Sequence, residues 1–462
     1  MAQFMVVLDL SIVNVALPTI KTDLGFSESG LQWVITAYAI VFGGLLLLGG
    51  RLGDLYGRRR MFVLGLLVFA VGSALAAVAW SSAWLIAFRA LQGAGGALFA
   101  PAGLSLLMTT FADGRDRSIA VGAWGAASGS GGAAGVLLGG VLTSYLSWPW
   151  IFLVNVPVGL AVAALAPRFI STPERAPARR HFDVAGAASV TASLMLLVYA
   201  LTYAVDYGWS DPVTFGLLAL SATLLAAFLS IERRAASPLM PLSIFRVRTL
   251  AAGNAITVVL ASVGFSSFFV LALYLQQVAH YSAAQAGLAF TAIALPIAIL
   301  SNAAGPLVGR FGARPVLALG LLLVAASQGY LLRLPAESTY LVDLLPAFLL
   351  LGIGMALSWV PVTIASLAGV APADSGVASG ISNTARQVGG AVGLALVSTL
   401  AAAYGGAGAS GLTHGFHIAF GALLVLSLAA VAVTVLFLVP RRPPAGADEA
   451  APEAQEVLAE AA

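Results

Sequence analysis

Asp9 stands near the middle of an apolar run, MAQFMVVLDLSIVNVALPTI from Met1 to Ile20, long enough to cross a bilayer as one helix. A carboxylate at that depth costs about 2.5–3.5 kcal/mol on insertion scales, so it marks a functional site and calls for a partner. Burial disfavours the charged form of a carboxylate, and a neighbouring cation favours it. An acid carried between those two surroundings takes up and releases a proton. The residue type and its depth therefore predict a proton carrier, held in a cavity reachable from each side of a membrane in turn. A carboxylate that only pairs with a cation on another helix is the alternative.

Two cations lie inside later apolar runs, Arg89 and Arg386. Arginine keeps its charge under any plausible condition, so neither carries a proton, but either can set the charge state of a group that does. Arg89 shares a helical face with Gln92, Gly93, Gly96 and Ala97, and Arg386 is followed by Gly389, Gly390 and Gly393. Such small faces let helices approach closely. For both arginines the alternative is a hydrogen bond to a neighbouring helix that locks packing. A third feature is the loop from Gly49 to Arg60, GGRLGDLYGRRR. Its glycines permit a tight turn. Asp54, at the membrane edge beside cations, is suited to cap a helix N-terminus or to accept from an arginine.

The elements that must position these groups follow from composition. Of 462 residues 60% are hydrophobic and 9% charged, with a mean hydropathy of +0.98, against about 25% charged in soluble domains. Too little polar surface remains to cover a water-soluble globule, so the chain is read as an all-α polytopic membrane protein. Fourteen continuous apolar runs are candidate spanning helices. No Lys or Arg precedes the first of them, which reads as a span rather than a cleaved leader. With the N-terminus in the cytoplasm, every Lys and Arg falls in or beside a cytoplasmic segment except Lys21 and Arg333, outside, and the two arginines within spans. That bias predicts both termini inside, in the cytoplasmic (plasma) membrane. Long connections at 169–182 and 232–248 divide the chain into a six-helix bundle over 1–168, an inserted helix pair with its loops over 169–248 and a second six-helix bundle over 249–439. An acidic tail over 440–462 is expected to be disordered. GPLVGRFGARP, Gly305 to Pro315, occupies the place in the later six helices that GGRLGDLYGRRR occupies in the earlier six, as an internal duplication would leave it.

The loop pattern Gly50–x–Leu–Gly53–Asp54–x–x–Gly57–Arg58–Arg59 resembles the cytoplasmic loop signature of the major facilitator superfamily. Fourteen spans and the start Leu8-Asp-Leu-Ser-Ile-Val-Asn-Val-Ala-Leu-Pro18 are similar to its 14-helix drug:proton antiporter branch, of the multidrug efflux type. Arg89-Ala-Leu-Gln92-Gly93-Ala-Gly95 resembles the family's fourth-helix motif. Trp148-Pro-Trp-Ile-Phe-Leu-Val-Asn155-Val-Pro-Val-Gly159 resembles the segment entering helix six, with Pro149 where arginine is usual. The resemblance implies two six-helix bundles with an inserted pair, proton binding at Asp9 and a coupling role for Arg89. It also implies a gate at Gly50, Gly53, Asp54, Gly57 and Arg58 that clasps the two halves on the cytoplasmic side. The partner expected for Asp54 is the N-terminal end of span thirteen, near Ser375 and Gly376, whose unpaired amides attract an anion. The family's helix-five glycine motif is kept at Gly122, Gly131, Gly135, Gly139 and Gly140, but Val136 stands where proline is expected. That departure leaves symport, or a dedicated metabolite as cargo, open beside drug antiport.

The resemblance places the substrate cavity between the halves. Its candidate lining is Asn14, Tyr38, Gln92, Phe265, Phe268, Tyr274, Gln276, Met355, Trp359, Asn383, Arg386 and Gln387. This is a mostly apolar set with amides, suited to small amphipathic or lipophilic molecules. With Asp9 the only acid deep in a span, lipophilic monocations or neutral compounds are expected. Other chemistries find no support. Lys21 is the only lysine and no glycine loop precedes it, so ATP is excluded as the drive. Gly129-Ser-Gly131-Gly132-Ala-Ala134 fits a dinucleotide fingerprint by letters, but no strand precedes it. His414 and His417 lack a third ligand, and no cysteine is present. The expectation is a monomeric, non-enzymatic transporter without metal, cofactor or nucleic-acid partner, driven by a proton gradient.

Overall fold

Lipid offers no water to satisfy a backbone, so each apolar run closes its hydrogen bonds internally as a helix. The computed structural model describes residues 1–26, 28–111, 115–170, 183–235, 238, 240–281, 283–371, 374–406 and 408–438. The acidic tail and most of the connection at 169–182 lie outside the described residues. Among the described residues fourteen long helices result, thirteen of them long and apolar enough to cross a membrane and α1 a shorter apolar helix by that measure: α1 (Ala2–Leu24), α2 (Glu28–Tyr56), α3 (Arg58–Ala77), α4 (Ser82–Thr110), α5 (Arg115–Tyr145), α6 (Trp150–Phe169, interrupted at Val154), α7 (Val184–Tyr207), α8 (Pro212–Arg234), α9 (Arg248–Leu273), α10 (Ala283–Phe311), α11 (Ala313–Leu331), α12 (Leu345–Leu367), α13 (Ser375–Tyr404) and α14 (Gly408–Phe437). Single π turns, Tyr274–Val278 after α9 and Tyr340–Leu344 before α12, were not legible as departures from α-helix in the hydropathy.

Spans α1–α6 form one lobe and α9–α14 the other, and their packing repeats. In the first lobe α4 packs on α2 and α3, α1 on α5, and α3 on α6; in the second α12 packs on α10 and α11, α9 on α13, and α11 on α14. The repeat extends to single residues. A Cβ on Gly65 would lie 2.8 Å from the Gly95 carbonyl oxygen where α3 crosses α4, and one on Gly320 would lie 2.9 Å from that of Gly354 where α11 crosses α12. The α2–α3 and α10–α11 turns use Gly57 and Gly312 at φ 98° and 85°, which a side chain would strain. The resemblance between the two glycine–arginine loops is thus a structural duplication.

The lobes meet along α2–α13 and α5–α10, one pair being the repeat of the other. The inserted pair α7–α8 leans on this seam, with α7 against both α2 and α13. Ser193 of α7 and Ser221 of α8 join the pair by donating each to the other's carbonyl oxygen at 2.9 Å. At the arginine-rich end, one apolar cluster spans both lobes and the pair, including Leu47, Val121, Val190, Val308 and Val377. That end is closed.

Candidate functional site

Asp9 reaches the centre of the first lobe because α1 lies against the glycine face of α5. A Cβ on Gly131 would fall 2.6 Å from the Phe4 carbonyl oxygen, and one on Gly139 would fall 3.0 Å from that of Ile12. The opposite side of α1 then faces α4 and α6. Arg89 Nη1 donates to Asp9 Oδ2 at 2.6 Å, while Gln92 Nε2 and Asn155 Nδ2 donate to Oδ1 at 3.2 and 3.0 Å. The guanidinium is held in turn by the Gln92 amide oxygen at 2.9 Å and the Val34 carbonyl at 2.9 Å. It lies 4.6 Å over the Tyr38 ring, and Ser73 Oγ accepts from Gln92 at 2.7 Å. Arg89 is therefore both a partner of Asp9 and a packing lock.

One expectation is corrected here. The side chains of Asp9 and Arg89 are each 0% exposed, so in this conformation no aqueous route reaches the carboxylate. Gln92 and Asn155 meet the second carboxylate oxygen, and the Tyr38 and Phe152 rings cover the guanidinium, whose Nη2 finds no hydrogen-bond partner among the described residues.

The contact expected between Asp54 and the start of α13 is present. Asp54 Oδ1 and Oδ2 accept from the backbone amides of Gly376 and Val377 at 3.2 and 3.0 Å, at the N-terminus of α13, and Arg58 donates to Oδ1 at 2.9 Å. An anion on the free amides of a helix start is favoured by both hydrogen bonding and the helix dipole. Gly50 lies directly on the Gly376 carbonyl with no room for a side chain, whereas Gly53 faces Arg58 more loosely. Ser105 of α4 meets Ser375 across the seam at 2.8 Å, and Arg51 donates to the Pro238 carbonyl at 2.7 Å.

Of the helix-five glycines, Gly122 adjoins the Ser301 carbonyl of α10, and Gly131, Gly135 and Gly139 adjoin α1. Gly140 has nothing within 4 Å of its Cβ position, so it mediates no approach. The Val136 side chain lies outside the described residues, within an unbroken α5.

The proposed lining residues divide. Arg386 donates to Asn383 Oδ1 at 2.7 Å and lies 5.9 Å from the Trp359 ring; Gln387 packs on Gly43 of α2, and Phe265 on Gly390. Phe268 packs on Phe290 at 5.3 Å. Asn383 is itself buried, and four others are sealed rather than lining. Tyr38 and Gln92 belong to the Asp9 cluster, Met355 lies beneath Gly264, and Tyr274 is buried with its hydroxyl donating to the Pro335 carbonyl at 2.6 Å. Asn14 donates to the Leu10 carbonyl of its own helix at 2.7 Å, and Gln276 is exposed in the π turn beyond α9. Ser73 and Ser105 were not singled out from the sequence, while Asn155 entered only as part of the helix-six motif and Ser375 only as the helix end near Asp54. Asn155 carried a signal, as an amide within an apolar span; Ser73 and Ser105 carried none.

A two-lobed bundle of long apolar helices, with a buried ion pair in one lobe and a carboxylate on helix-start amides across the seam, is the architecture of a multi-pass membrane transporter. The chain belongs to the Major Facilitator Superfamily, whose sequence profile matches residues 1–261 and 254–461. It is 41% identical over 451 residues to the puromycin resistance protein pur8 of Streptomyces alboniger, covering 94% of this chain and 89% of that one. It is 40% identical over 467 residues to the cephamycin export protein CmcT of Amycolatopsis lactamdurans, covering 98% and 94%. Among solved structures, the human organic anion transporter MFSD10 superposes with a TM-score of 0.66 at 20% identity, over 94% of this chain and 97% of that one. The proton:xylose symporter XylE superposes with a TM-score of 0.66 at 15% identity, over 95% and 94%.

Proposed function

We propose that the protein exports amphipathic drugs, antibiotics or toxins across the plasma membrane in exchange for protons, by alternating access and without chemical change to the cargo. The observation that carries this reading is the buried Asp9–Arg89 pair, at 2.6 Å in one lobe of a transporter fold. A nearby cation favours the charged form of a carboxylate and a low-dielectric setting its neutral form, so parting Asp9 from Arg89 is the proton-exchanging step of this reading. Access of water to Asp9 then accompanies the rearrangement that parts α1 from α4 and α6. The Asp54 latch holds the arginine-rich face closed, and that face is cytoplasmic by the positive-inside bias, with both termini on the same side. Relatives that are a puromycin resistance protein and a cephamycin exporter support export over uptake.

The test is transport in inverted vesicles with an imposed pH gradient. Accumulation of an amphipathic dye driven by an acid interior is expected. Accumulation requiring the opposite gradient would indicate symport, and movement indifferent to the gradient would end the proton-coupled reading.

A further inference from the structure

Arg386 is the second cation within the spans, and its surroundings differ from those of Arg89. Among the described residues no carboxylate lies within ion-pair distance of it, and its hydrogen bond is to the neutral Asn383 amide at 2.7 Å. A guanidinium carries five N–H donors, so a single amide leaves most of them unmet. Arg386 also remains partly accessible, whereas Arg89 is sealed. It lies on α13 where that helix meets α2, one residue before Gln387, which packs on Gly43 of the other lobe.

The internal repeat shows that packing does not require this cation. Gly122 and Gly131 of α5 adjoin the carbonyls of Ser301 and Phe4, as Gly380 and Gly389 of α13 adjoin those of Leu46 and Val258. Three residues before Gly389 stands Arg386; three before Gly131 stands Ser128, whose hydroxyl returns to the Trp124 carbonyl of its own helix at 3.2 Å. The same helix register is thus built in the other lobe with a small neutral side chain. An arginine within the spans that has no carboxylate partner and open donors is suited to a ligand.

We propose that Arg386 is the head-group contact for an amphipathic carboxylate, whose apolar body lies on Trp359 and Phe265. The planar guanidinium fork matches a carboxylate in two parallel hydrogen bonds. Trp359 flanks the cation at 5.9 Å, and Phe265, 49% exposed, packs one helical turn along α13 at Gly390. This assignment rests on the export reading and names its cargo. It also replaces the sequence expectation of a cationic or neutral substrate, because Asp9 is already matched by Arg89 and offers a cation no free charge.

The test compares 2-naphthylacetate, its methyl ester and 2-naphthylethylammonium on the full chain in phosphatidylcholine nanodiscs, by competition against tritiated 2-naphthylacetate. The carboxylate is expected to bind about tenfold or more tighter than the other two. Arg386→Gln, with folding checked by thermal melting, brings the ratio of carboxylate to ester affinity to about one, and Arg386→Lys restores part of the preference. An unchanged ratio in Arg386→Gln, the ammonium as best ligand, or no saturable binding of the carboxylate overturns the inference. Gradient-driven uptake of all three probes into inverted vesicles by the unsubstituted protein is read separately. Its absence would sink the export reading, whereas uptake of the ester or the ammonium without carboxylate preference would sink only the role of Arg386.

Discussion

Gly376, at the first turn of α13, is built around Asp54 of α2. Its amide donates to the carboxylate at 3.2 Å, and a Cβ there would fall 2.5 Å from Oδ1. The two residues belong to different lobes, so the bond reports directly on whether the arginine-rich face is closed.

Gly376→Ala should therefore act like Asp54→Asn although it removes no charged group. The methyl displaces the carboxylate from both amides, and charge-assisted bonds of this kind are worth about 1.5–3 kcal/mol each. The closed state loses at least about tenfold in population. Turnover should fall more than substrate affinity in both variants, as read by transport and binding measured side by side.

The Ser105–Ser375 contact offers a lock. The chain has no cysteine, so Ser105→Cys with Ser375→Cys introduces the only pair able to bridge. Oxidation should cross-link the double variant and stop transport, and reductant should restore it. Full transport by protein shown to be cross-linked would mean that the seam at α4–α13 does not open during the cycle.

Asp9→Asn should abolish gradient-driven movement while leaving binding measurable. It also strands Arg89 at 0% exposure, which costs about 3–5 kcal/mol when one partner of a buried pair is removed. Thermal melting should thus fall in Asp9→Asn and recover in Asp9→Asn with Arg89→Gln, without recovery of transport. Full gradient-driven transport by Asp9→Asn would remove its central role.

Asn155→Val tests the third donor to Asp9. Loss of a hydrogen bond to a buried carboxylate should lower stability by about 1–3 kcal/mol, seen as a lower melting temperature with transport reduced.

Two glycines of α5 should separate cleanly. Gly131→Val drives a side chain into the α1 backbone at Phe4 and should prevent stable folding, whereas Gly140→Ala meets open space. The latter gains helix propensity of up to about 1 kcal/mol. Expression and melting temperature of the two variants decide this.

The number of spans, their order, the duplicated loops and the weight placed on Asp9, Arg89 and Asp54 were legible in the amino-acid sequence. The reason is that a bilayer taxes every backbone group and every charge, so what it tolerates is written along the chain as apolar runs and rare ions. Even the α13 amides opposite Asp54 could be anticipated, since a helix start always has donors to spare. Tertiary structure alone decided what closes around those groups. Hydropathy assigns Asn155 and Ser73 no partner, because the partners lie on helices distant in sequence. Nor does it distinguish Tyr274, sealed against Pro335, from Phe265, which stands open. The contrast between Arg89, matched by an acid, and Arg386, matched by none among the described residues, arises only once α1, α4 and α13 are placed, since charge compensation depends on distance through space.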